Sequence, residues 1–268
     1  MAASAAPAGV EPKPIVAHHF NNLLQQQSTV RLGMWLFLVT EVLFFGGIFC
    51  AYTCYRIWYP TEFEAGSTAL NPTIAGINSF LLLGSSFTST LAIRAAYTGN
   101  RRGLQLWLAA TLVLGIAFLG FKAREYYVDI EEGLVPSPKT VQVVQQIDGK
   151  PVNVTRTVFG QKLEHALSEK EYYQKNPDKL KAVNFDRAML FFVFYWSMTG
   201  LHVLHMIIGI GLWLWQFGLA SMGFFDHKER YVYVEVLSLY WHFVELVWIF
   251  LLPLLYMAGH HSAHHLHL

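Results

Sequence analysis

The chain has 268 residues, of which 54% are hydrophobic and only 14% are charged, and its formal net charge at pH 7 is +1. Soluble domains carry about a quarter of their residues as charged side chains, so this composition excludes an ordinary soluble protein and indicates an integral membrane protein. The basic residues are scattered rather than gathered into a patch, which excludes a nucleic-acid partner.

The segment before the first long apolar run, residues 1–29, is rich in Ala, Pro and Gln. It lacks the positively charged start and the apolar core of a cleaved signal peptide. We therefore expect a disordered cytoplasmic tail here, and we expect the first span itself to act as the insertion signal.

Five apolar stretches each reach the length of about 20 residues that a membrane-spanning helix needs. These spans are predicted at 30–55, 73–98, 103–126, 188–217 and 233–258. The sequence thus predicts an all-α, polytopic membrane bundle of five transmembrane helices that occupies residues 30–258.

The orientation of the bundle follows from the short basic turn at 99–102, Gly-Asn-Arg-Arg, between the second and third spans. Short loops rich in Lys and Arg stay in the cytoplasm. With five spans, the N-terminus is then cytoplasmic and the C-terminus periplasmic in a bacterial inner membrane. Lys228 and Arg230, between the fourth and fifth spans, fall on the same cytoplasmic side.

Between the third and fourth spans lies a polar insertion, residues 128–187. Two stretches rich in Val and Thr, 140–146 and 152–158, flank Asp148-Gly149, which is a strong signal for a β-hairpin. Residues 161–182 have the pattern of short amphipathic helices. We expect a small hairpin-and-helix cap on the periplasmic face rather than an independent domain, because the insertion offers few large apolar residues for a core.

Two further groups of residues, the cysteines and the C-terminal histidines, are expected to form neither a disulfide nor a functional metal site. Cys50 and Cys54 lie four residues apart on one helix, where Cβ atoms are about 5–6 Å apart, whereas a disulfide needs about 3.8 Å. The His-rich residues 259–268 are expected to form an unstructured periplasmic tail that binds divalent metals only adventitiously.

Ionisable side chains occur near the middle of three predicted spans, where they are costly unless they pair with a neighbouring helix. These candidate site residues are Glu41 in the first span, His202 and His205 in the fourth, and His242 and Glu245 in the fifth. Residues at i and i+3 share a helix face, so His242 and Glu245 are expected to pair against another helix. No residue is assigned a catalytic role.

Glu41 lies about ten residues into its span, roughly 15 Å along the helix at 1.5 Å per residue, and therefore near the bilayer centre. We expect its carboxyl group to be hydrogen-bonded to a neighbour such as the helix that carries the two fourth-span histidines. Gly200, Gly209 and Gly211 on that helix are expected to permit close helix approach.

Three stretches together resemble subunit III of the haem–copper oxidases, and cytochrome c oxidase in particular. They are GMWLFLVTEVLFF at 33–45, TGLHVLHMIIG at 199–209 and YWHFVELVW at 240–248. Residues 78–90 and 124–127 add weaker matches. The resemblance covers all five spans but neither the insertion nor the tails, and the chain corresponds to the last five spans of the common seven-span form.

The resemblance implies a non-catalytic subunit of an aerobic respiratory oxidase that reduces oxygen to water. In that family, subunits I and II hold the haem and copper, so this chain is expected to bind neither. It is expected to pack directly against subunit I, to hold phospholipid, and to support proton uptake. Glu41 matches the family's buried membrane glutamate, and the remaining candidates match polar positions that link helices or meet lipid headgroups: His202, His205, His242 and Glu245.

Other functions are less well supported by the residues. A membrane metalloenzyme could use His202, His205 and His242, but di-iron bundles repeat Glu-x-x-His on two helices, and no predicted span contains that unit. A transporter would show discontinuous helices and inverted repeats, and neither is visible. Within the family, two alternatives stay open: a subunit of a quinol oxidase and a nitric-oxide-reductase accessory protein. Glu41, where quinol-oxidase relatives tend to carry Asp, favours cytochrome c oxidase.

Overall fold

The structure is a computed structural model that describes residues 20–147, 150–226, 230–257 and 259. Its elements in chain order are α1 (Leu23–Trp58), α2 (Pro60–Ala69), α3 (Pro72–Thr98), α4 (Arg101–Glu131), β1 (Thr140–Ile147), β2 (Lys150–Thr157), α5 (Val158–Ser168), α6 (Glu171–Lys175), α7 (Pro177–Ala182), α8 (Phe185–Ser221) and α9 (Tyr231–Leu251). A π-helical segment, Leu252–Tyr256, continues α9. Helices α1, α3, α4, α8 and α9 (with its π-helical continuation) are long and apolar enough to cross a membrane, which confirms the predicted all-α polytopic bundle.

The first span begins earlier than the sequence indicated, at Leu23 instead of residue 30. The side chain of Asn22 accepts a hydrogen bond of 2.7 Å from the backbone N–H of Gln25, and such a cap satisfies one of the open donors of a helix start. The helix therefore starts inside the stretch predicted to be a tail. Residues 1–19 of that tail lie outside the described residues.

Helices α3 and α4 form an antiparallel pair joined by the short turn that the sequence predicted. Gly99 adopts the left-handed backbone region with φ of 72°, which glycine enters without steric cost. Asn100 then caps α4 by accepting a 3.0 Å hydrogen bond from the backbone N–H of Gly103. The Arg101 guanidinium donates to the carbonyl of Ser221 at the end of α8. We call this end of the bundle the basic end.

The opposite end of the bundle, the insertion end, contains a helix that the sequence analysis missed. Helix α2 begins with Pro60, a residue favoured in the first helical turn because its missing N–H has no intrahelical partner there. Gly66 faces α8 so closely that an added Cβ atom would lie 2.3 Å from the Phe191 ring. Small residues in α2 thus let it lie flat against α8, where a plain loop was expected.

The polar insertion forms the predicted hairpin followed by helices. Strands β1 and β2 pair antiparallel from Thr140↔Thr157 to Ile147↔Lys150, while the turn residues Asp148 and Gly149 lie outside the described residues. Helix α5 attaches to the bundle through the ring contact of Phe159 with Phe192 of α8.

Asp186, near the start of α8, adds a polar anchor for the insertion. Its carboxylate accepts hydrogen bonds from the backbone N–H and the hydroxyl of Thr157, at 3.1 Å and 2.6 Å. Because Thr157 also caps α5 through the backbone N–H of Gly160, the carboxylate fixes the junction between β2 and α5. The insertion is therefore tied to the membrane bundle by apolar and polar contacts at the same corner.

The side chain of Trp241 on α9 lies where four long helices meet. It is fully buried, and an added Cβ atom at Gly209 of α8 or Gly115 of α4 would lie 2.8 Å or 3.0 Å from its ring. Its indole N–H donates to the hydroxyl of Ser85 on α3 over 2.9 Å. The expected close approach at glycine is thus confirmed for Gly209.

The same expectation is wrong for Gly200 and Gly211, the two other glycines of α8 that the sequence analysis named. An added Cβ atom at Gly200 or Gly211 would meet nothing within 4 Å, since both residues face away from the neighbouring helices. Spacing alone could not reveal this, because it does not fix which glycine faces the bulky indole.

The π-helical segment that ends the fifth span contains Pro253. Proline lacks a backbone N–H and clashes with the carbonyl four residues earlier, so the regular α-helical hydrogen-bond pattern is interrupted here. The carbonyl of Leu254 accepts a 2.5 Å hydrogen bond from the Tyr52 hydroxyl of α1. This hydrogen bond connects the end of the fifth span to the first span.

Candidate functional site

A carboxylate–imidazole pair joins α1 and α8 near the middle of both helices. Glu41 Oε2 lies 3.1 Å from His205 Nε2, and the two side chains are 19% and 13% exposed. The other ring nitrogen of His205 lies 2.8 Å from the carbonyl of Leu201, one turn earlier, and the Phe45 ring packs on the imidazole. The structure thus places Glu41 against the helix where the sequence analysis expected its partner.

A second carboxylate–imidazole pair lies between α9 and α3. His242 Nδ1 lies 3.3 Å from Glu245 Oε2 and 2.9 Å from Ser86 Oγ. The other carboxylate oxygen of Glu245 accepts a 2.8 Å hydrogen bond from Ser85. The predicted pairing at i and i+3 is present, and serine hydroxyls of α3 complete it.

More serines of α3 extend this contact along α9. The Trp248 indole N–H donates to Ser79 over 3.0 Å, and Ser238 donates to Ser89 over 3.2 Å. Inside a bilayer no water is available, so polar groups must find partners within the protein. We call the hydrogen-bonded contact of Ser79, Ser85, Ser86 and Ser89 with α9 the serine seam.

His202 does not join either pair. Its ring packs between Phe118 of α4 and Trp248 of α9, with centroid distances of 5.7 Å and 5.2 Å. It is fully buried, and neither ring nitrogen has a hydrogen-bond partner among the described residues. Within one turn of α8, the side chain of His202 therefore points into the aromatic core and that of His205 points toward α1.

The candidate histidines are not gathered into one metal site. Across residues 20–147, 150–226, 230–257 and 259, the structure shows no group of three or more His, Cys, Asp or Glu side chains placed to hold a metal ion. Cys50 and Cys54 are free and exposed on α1, without a third soft ligand. The His-rich end of the chain, residues 260–268, lies outside the described residues.

A third cluster of ionisable groups, which the sequence analysis missed, surrounds Lys122 of α4. This side chain is 1% exposed, and its ammonium lies 3.0 Å from Glu125 Oε1. It also donates to the hydroxyl oxygens of Tyr256 and Tyr195, at 2.6 Å and 3.3 Å. The rings of four aromatic residues lie within 5.5 Å of the ammonium: Tyr126, Tyr195, Trp248 and Tyr256.

The hydroxyl groups of the two tyrosines connect this ammonium to carboxylates. Tyr256 donates to Glu125 over 2.5 Å, and Tyr195 donates to Asp129 over 2.7 Å. Each hydroxyl thus accepts from the lysine and donates to an acid, so its donor and one of its acceptor sites are used. The buried Lys122 cluster links α4, α8 and the π-helical segment near the insertion end.

A sequence signal for this cluster existed. Lys122, Glu125 and Asp129 recur at intervals of three and four residues, so they occupy one face of a helix. In the sequence, Glu125 belongs only to a weak motif match, and the predicted third span ends at 126. Helix α4 continues to Glu131, which brings Asp129 onto the same buried face.

Together the fold and these sites define a polytopic helical membrane protein whose interior carries paired ionisable side chains at mid-depth. Residues 15–131 match the family described as cytochrome c oxidase subunit III. This stretch contains Glu41, the serines of α3 and the α4 members of the Lys122 cluster.

Relatives extend the similarity over most of the chain. A cytochrome c oxidase subunit 3 from Synechocystis is 29% identical over 84% of this chain and 74% of the relative. The rabbit (Oryctolagus cuniculus) protein of the same name is 29% identical over 87% and 71%. A cytochrome bo(3) ubiquinol oxidase subunit 3 from Pseudomonas aeruginosa is 24% identical over 91% and 92%. By both comparisons, the chain is similar to the cytochrome c oxidase subunit III family.

The Lys122 cluster leads to a prediction about stability. Replacing Lys122 by Met leaves Glu125 and Asp129 buried without their cation, and breaking a buried ion pair by removing one partner costs about 3–5 kcal/mol. We expect a large loss of folded protein and a lower thermal midpoint in detergent. Adding Glu125→Gln to Lys122→Met should recover much of the loss.

The matched control is Lys175→Met, because the Lys175 side chain is 72% exposed and surface ion pairs contribute at most about 1 kcal/mol. Equal midpoints for Lys122→Met and the unchanged protein would show that the buried ammonium does not stabilise the fold.

Proposed function

We propose that this chain is subunit III of a respiratory haem–copper terminal oxidase of the cytochrome c type. The similarity to the subunit III family carries the proposal. The geometry supports it, because Glu41 and His205 pair across α1 and α8 at mid-depth. His242 and Glu245 pair on α9 and bond the serines of α3. Their role in the proposal is to hold a membrane bundle that packs directly against the catalytic subunit I.

The proposal assigns haem and copper to subunits I and II, and no catalytic centre to this chain. Transition-metal sites such as a copper centre need several nitrogen, sulfur or oxygen ligands that converge on one point. Here Glu41 and Glu245 each face one imidazole, and these two pairs lie on different helix contacts. Such pairs suit a scaffold that connects helices.

Phospholipid binding, the next part of the proposal, has support from an apolar cavity. A space of about 490 Å³ opens between α1, α8 and α9 toward the basic end, lined by side chains that include Met34, Leu212, Trp215 and Leu237. An acyl chain fits such a lining. One turn before Met34, Arg31 pairs with Glu235 over 2.8 Å and supplies a cation at the level of lipid headgroups.

Support of proton uptake by the oxidase is the remaining role proposed for the subunit. Glu41 carries a titratable carboxyl group in the middle of α1, next to an imidazole that can also exchange protons. We propose a structural bond as the main role of this pair, with direct proton delivery as the alternative that the variants below separate.

A quinol oxidase is the second candidate for the complex. The Pseudomonas relative named as a ubiquinol oxidase subunit aligns over 92% of its own length, which favours this possibility. The electron donor is set by subunit II, so the co-purifying subunit II decides between the two: a copper-binding subunit II indicates cytochrome c.

The test of the proposed function is purification from the native membrane. The chain should co-purify with a haem-containing catalytic subunit. Its removal should leave the haem spectrum of the remaining complex unchanged, because the chain contributes no ligand to the chromophore. Loss of haem or copper in proportion to the removed chain would contradict the proposal.

The orientation of the chain is part of the proposal and can be tested separately. The exposed lysines of the insertion, such as Lys175 and Lys181 with side chains 72% and 79% exposed, should be cleaved by trypsin added to intact spheroplasts. The turn at Arg101 and Arg102 serves as the control and should be cleaved only in inside-out vesicles. The reverse pattern would invert the proposed topology.

Variants of Glu41 separate a structural role from a role in proton transfer. Glu41→Gln keeps a hydrogen-bonding group beside His205 but cannot titrate, so on the structural reading the complex should assemble and turn over almost normally. Glu41→Ala removes the bond and should loosen the subunit from its complex. Val42→Ala, at a 54% exposed neighbour on the same helix, is the control.

Assembly and steady-state proton uptake should be measured side by side for these variants. A complex with Glu41→Gln that assembles fully but no longer takes up protons at the normal rate would identify Glu41 as a proton carrier.

A further inference from the structure

Five of the buried polar atoms that lack a hydrogen-bond partner among the described residues belong to three side chains. They are both ring nitrogens of His202, both amide atoms of Asn78, and Oε2 of Glu125. His202 and Asn78 are fully buried, and Glu125 is 6% exposed. Nearly all buried polar groups in proteins are hydrogen-bonded to protein or to ordered water, so these atoms require an explanation.

Antiparallel packing of α3 and α4 places Asn78 at the depth of the Lys122 cluster. The hydroxyl groups of Thr88 and Thr111 lie 2.8 Å apart and join the two helices. Counting from this contact toward the insertion end, Asn78 is ten residues along α3 and Lys122 is eleven residues along α4. At 1.5 Å per residue, both lie roughly 15–17 Å from the contact.

The ring of Trp248 marks the same level on α9 and relates it to α8. Its indole N–H donates to the hydroxyl of Ser79, the neighbour of Asn78. The His202 ring lies against the Trp248 ring with 5.2 Å between centroids, and the ammonium of Lys122 is 5.5 Å from that ring. The unpartnered side chains of α3, α4 and α8 therefore lie around one residue of α9.

The carboxylate of Glu125 uses its two oxygens unequally. Oε1 lies 3.0 Å from Lys122 Nζ, 2.5 Å from the Tyr256 hydroxyl and 3.0 Å from the Tyr195 hydroxyl. Oε2 has no partner among the described residues, although a carboxylate has about four acceptor sites. Oε2 is thus an acceptor that the neighbouring side chains leave open.

The three side chains offer the mixture of donors and acceptors that water matches. The Asn78 amide has two N–H donors and an acceptor oxygen, a neutral imidazole has one donor and one acceptor, and Glu125 Oε2 accepts. A buried water molecule typically makes about three hydrogen bonds to polar groups that are otherwise unsatisfied. An acyl chain has neither a donor nor an acceptor, so lipid satisfies none of these atoms.

We propose that ordered water molecules occupy this level of the bundle and bridge His202 and Asn78 to Oε2 of Glu125. The water site joins α3 and α8 to the Lys122 cluster, so one hydrogen-bonded network extends from His202 to Asp129 near the insertion end. Ionisable residues at this depth normally face protein partners or internal water. The inference goes beyond the proposed function, because it concerns the bundle itself whatever complex the chain joins.

Radiolytic labelling in water enriched in oxygen-18 tests the site on the full chain, purified with whatever chains accompany it. X-rays split water into hydroxyl radicals, and a side chain that bulk water cannot reach is oxidised only by water bound beside it. Phe118 is fully buried against His202 and should take up the label.

Phe191 is the matched control for this labelling. It is also fully buried, but it packs among the rings of Phe63 and Phe192. Mass spectrometry of the peptides should show several-fold more oxygen-18 on Phe118 than on Phe191. Equal labelling of the two rings would overturn the water site.

The variant Asn78→Leu supplies a second measurement, because a dry interior and a hydrated one predict opposite results. Leu has the same number of side-chain heavy atoms as Asn. In a dry interior, removal of an unpartnered amide removes a desolvation cost and should raise the thermal midpoint. With water present, the midpoint should fall and the labelling of Phe118 should decrease.

Leu82→Met, a swap of similar volume one turn along the buried face of α3, is the control and should change the midpoint little. A raised midpoint for Asn78→Leu, or unchanged labelling of Phe118 in that variant, would show that no water bridges Asn78. If Asn78→Leu yields no folded protein, the comparison of Phe118 with Phe191 in the unchanged chain decides.

Discussion

The hydrogen bond from Ser85 to Glu245 joins α3 to the fifth span at the depth where the membrane offers no water. The same serine accepts the indole N–H of Trp241, so one hydroxyl connects a carboxylate with the aromatic core. A buried acceptor that loses its donor costs about 1–3 kcal/mol, and more when it is charged. The order of the surrounding helices depends on such matched groups, since apolar side chains pack equally well against lipid.

Polar contacts in this bundle differ with depth. At mid-depth each carboxylate faces one imidazole and the remaining partners are hydroxyl groups, whereas Lys122 near the insertion end gathers two carboxylates and two tyrosines around one ammonium. The insertion packs above this cluster, and Leu134 fixes its start by accepting a hydrogen bond from the Trp196 indole. An extramembrane cap and a buried ion cluster thus stabilise the same end of the protein.

The sequence predicted the fold well because membrane spans obey a simple length rule. It also predicted the pairing of His242 with Glu245, which needs only helical periodicity. It did not predict α2, because ten residues without a long apolar run have the pattern of a loop. The close packing of Gly66 against Phe191, which stabilises this helix, is a tertiary contact. The sequence also did not predict the separation of His202 and His205: three residues apart on a helix, they differ in direction by about 60°, so His202 points into the core and His205 toward α1.

The Lys122 cluster was within reach of the sequence and was missed for a specific reason. A span ended at residue 126 by hydropathy excludes Asp129, and without it the lysine and Glu125 look like an ordinary interfacial pair. Helix α4 continues for another turn because the insertion end of the bundle covers Asp129 with Tyr195. Hydropathy does not show such tertiary cover, although the three- and four-residue spacing of the ionisable side chains was visible in the sequence.

The ring of Trp241 packs directly against the backbone of two glycines, Gly115 and Gly209. The missing side chains of Gly115 and Gly209 provide the space that the indole fills, and an extra methyl group in a packed interior costs about 1–3 kcal/mol. Evolution can therefore change these three positions only in concert, with a smaller ring at 241 accompanying any larger residue at 115 or 209. Their residue identities should covary among relatives even though they lie on three different helices.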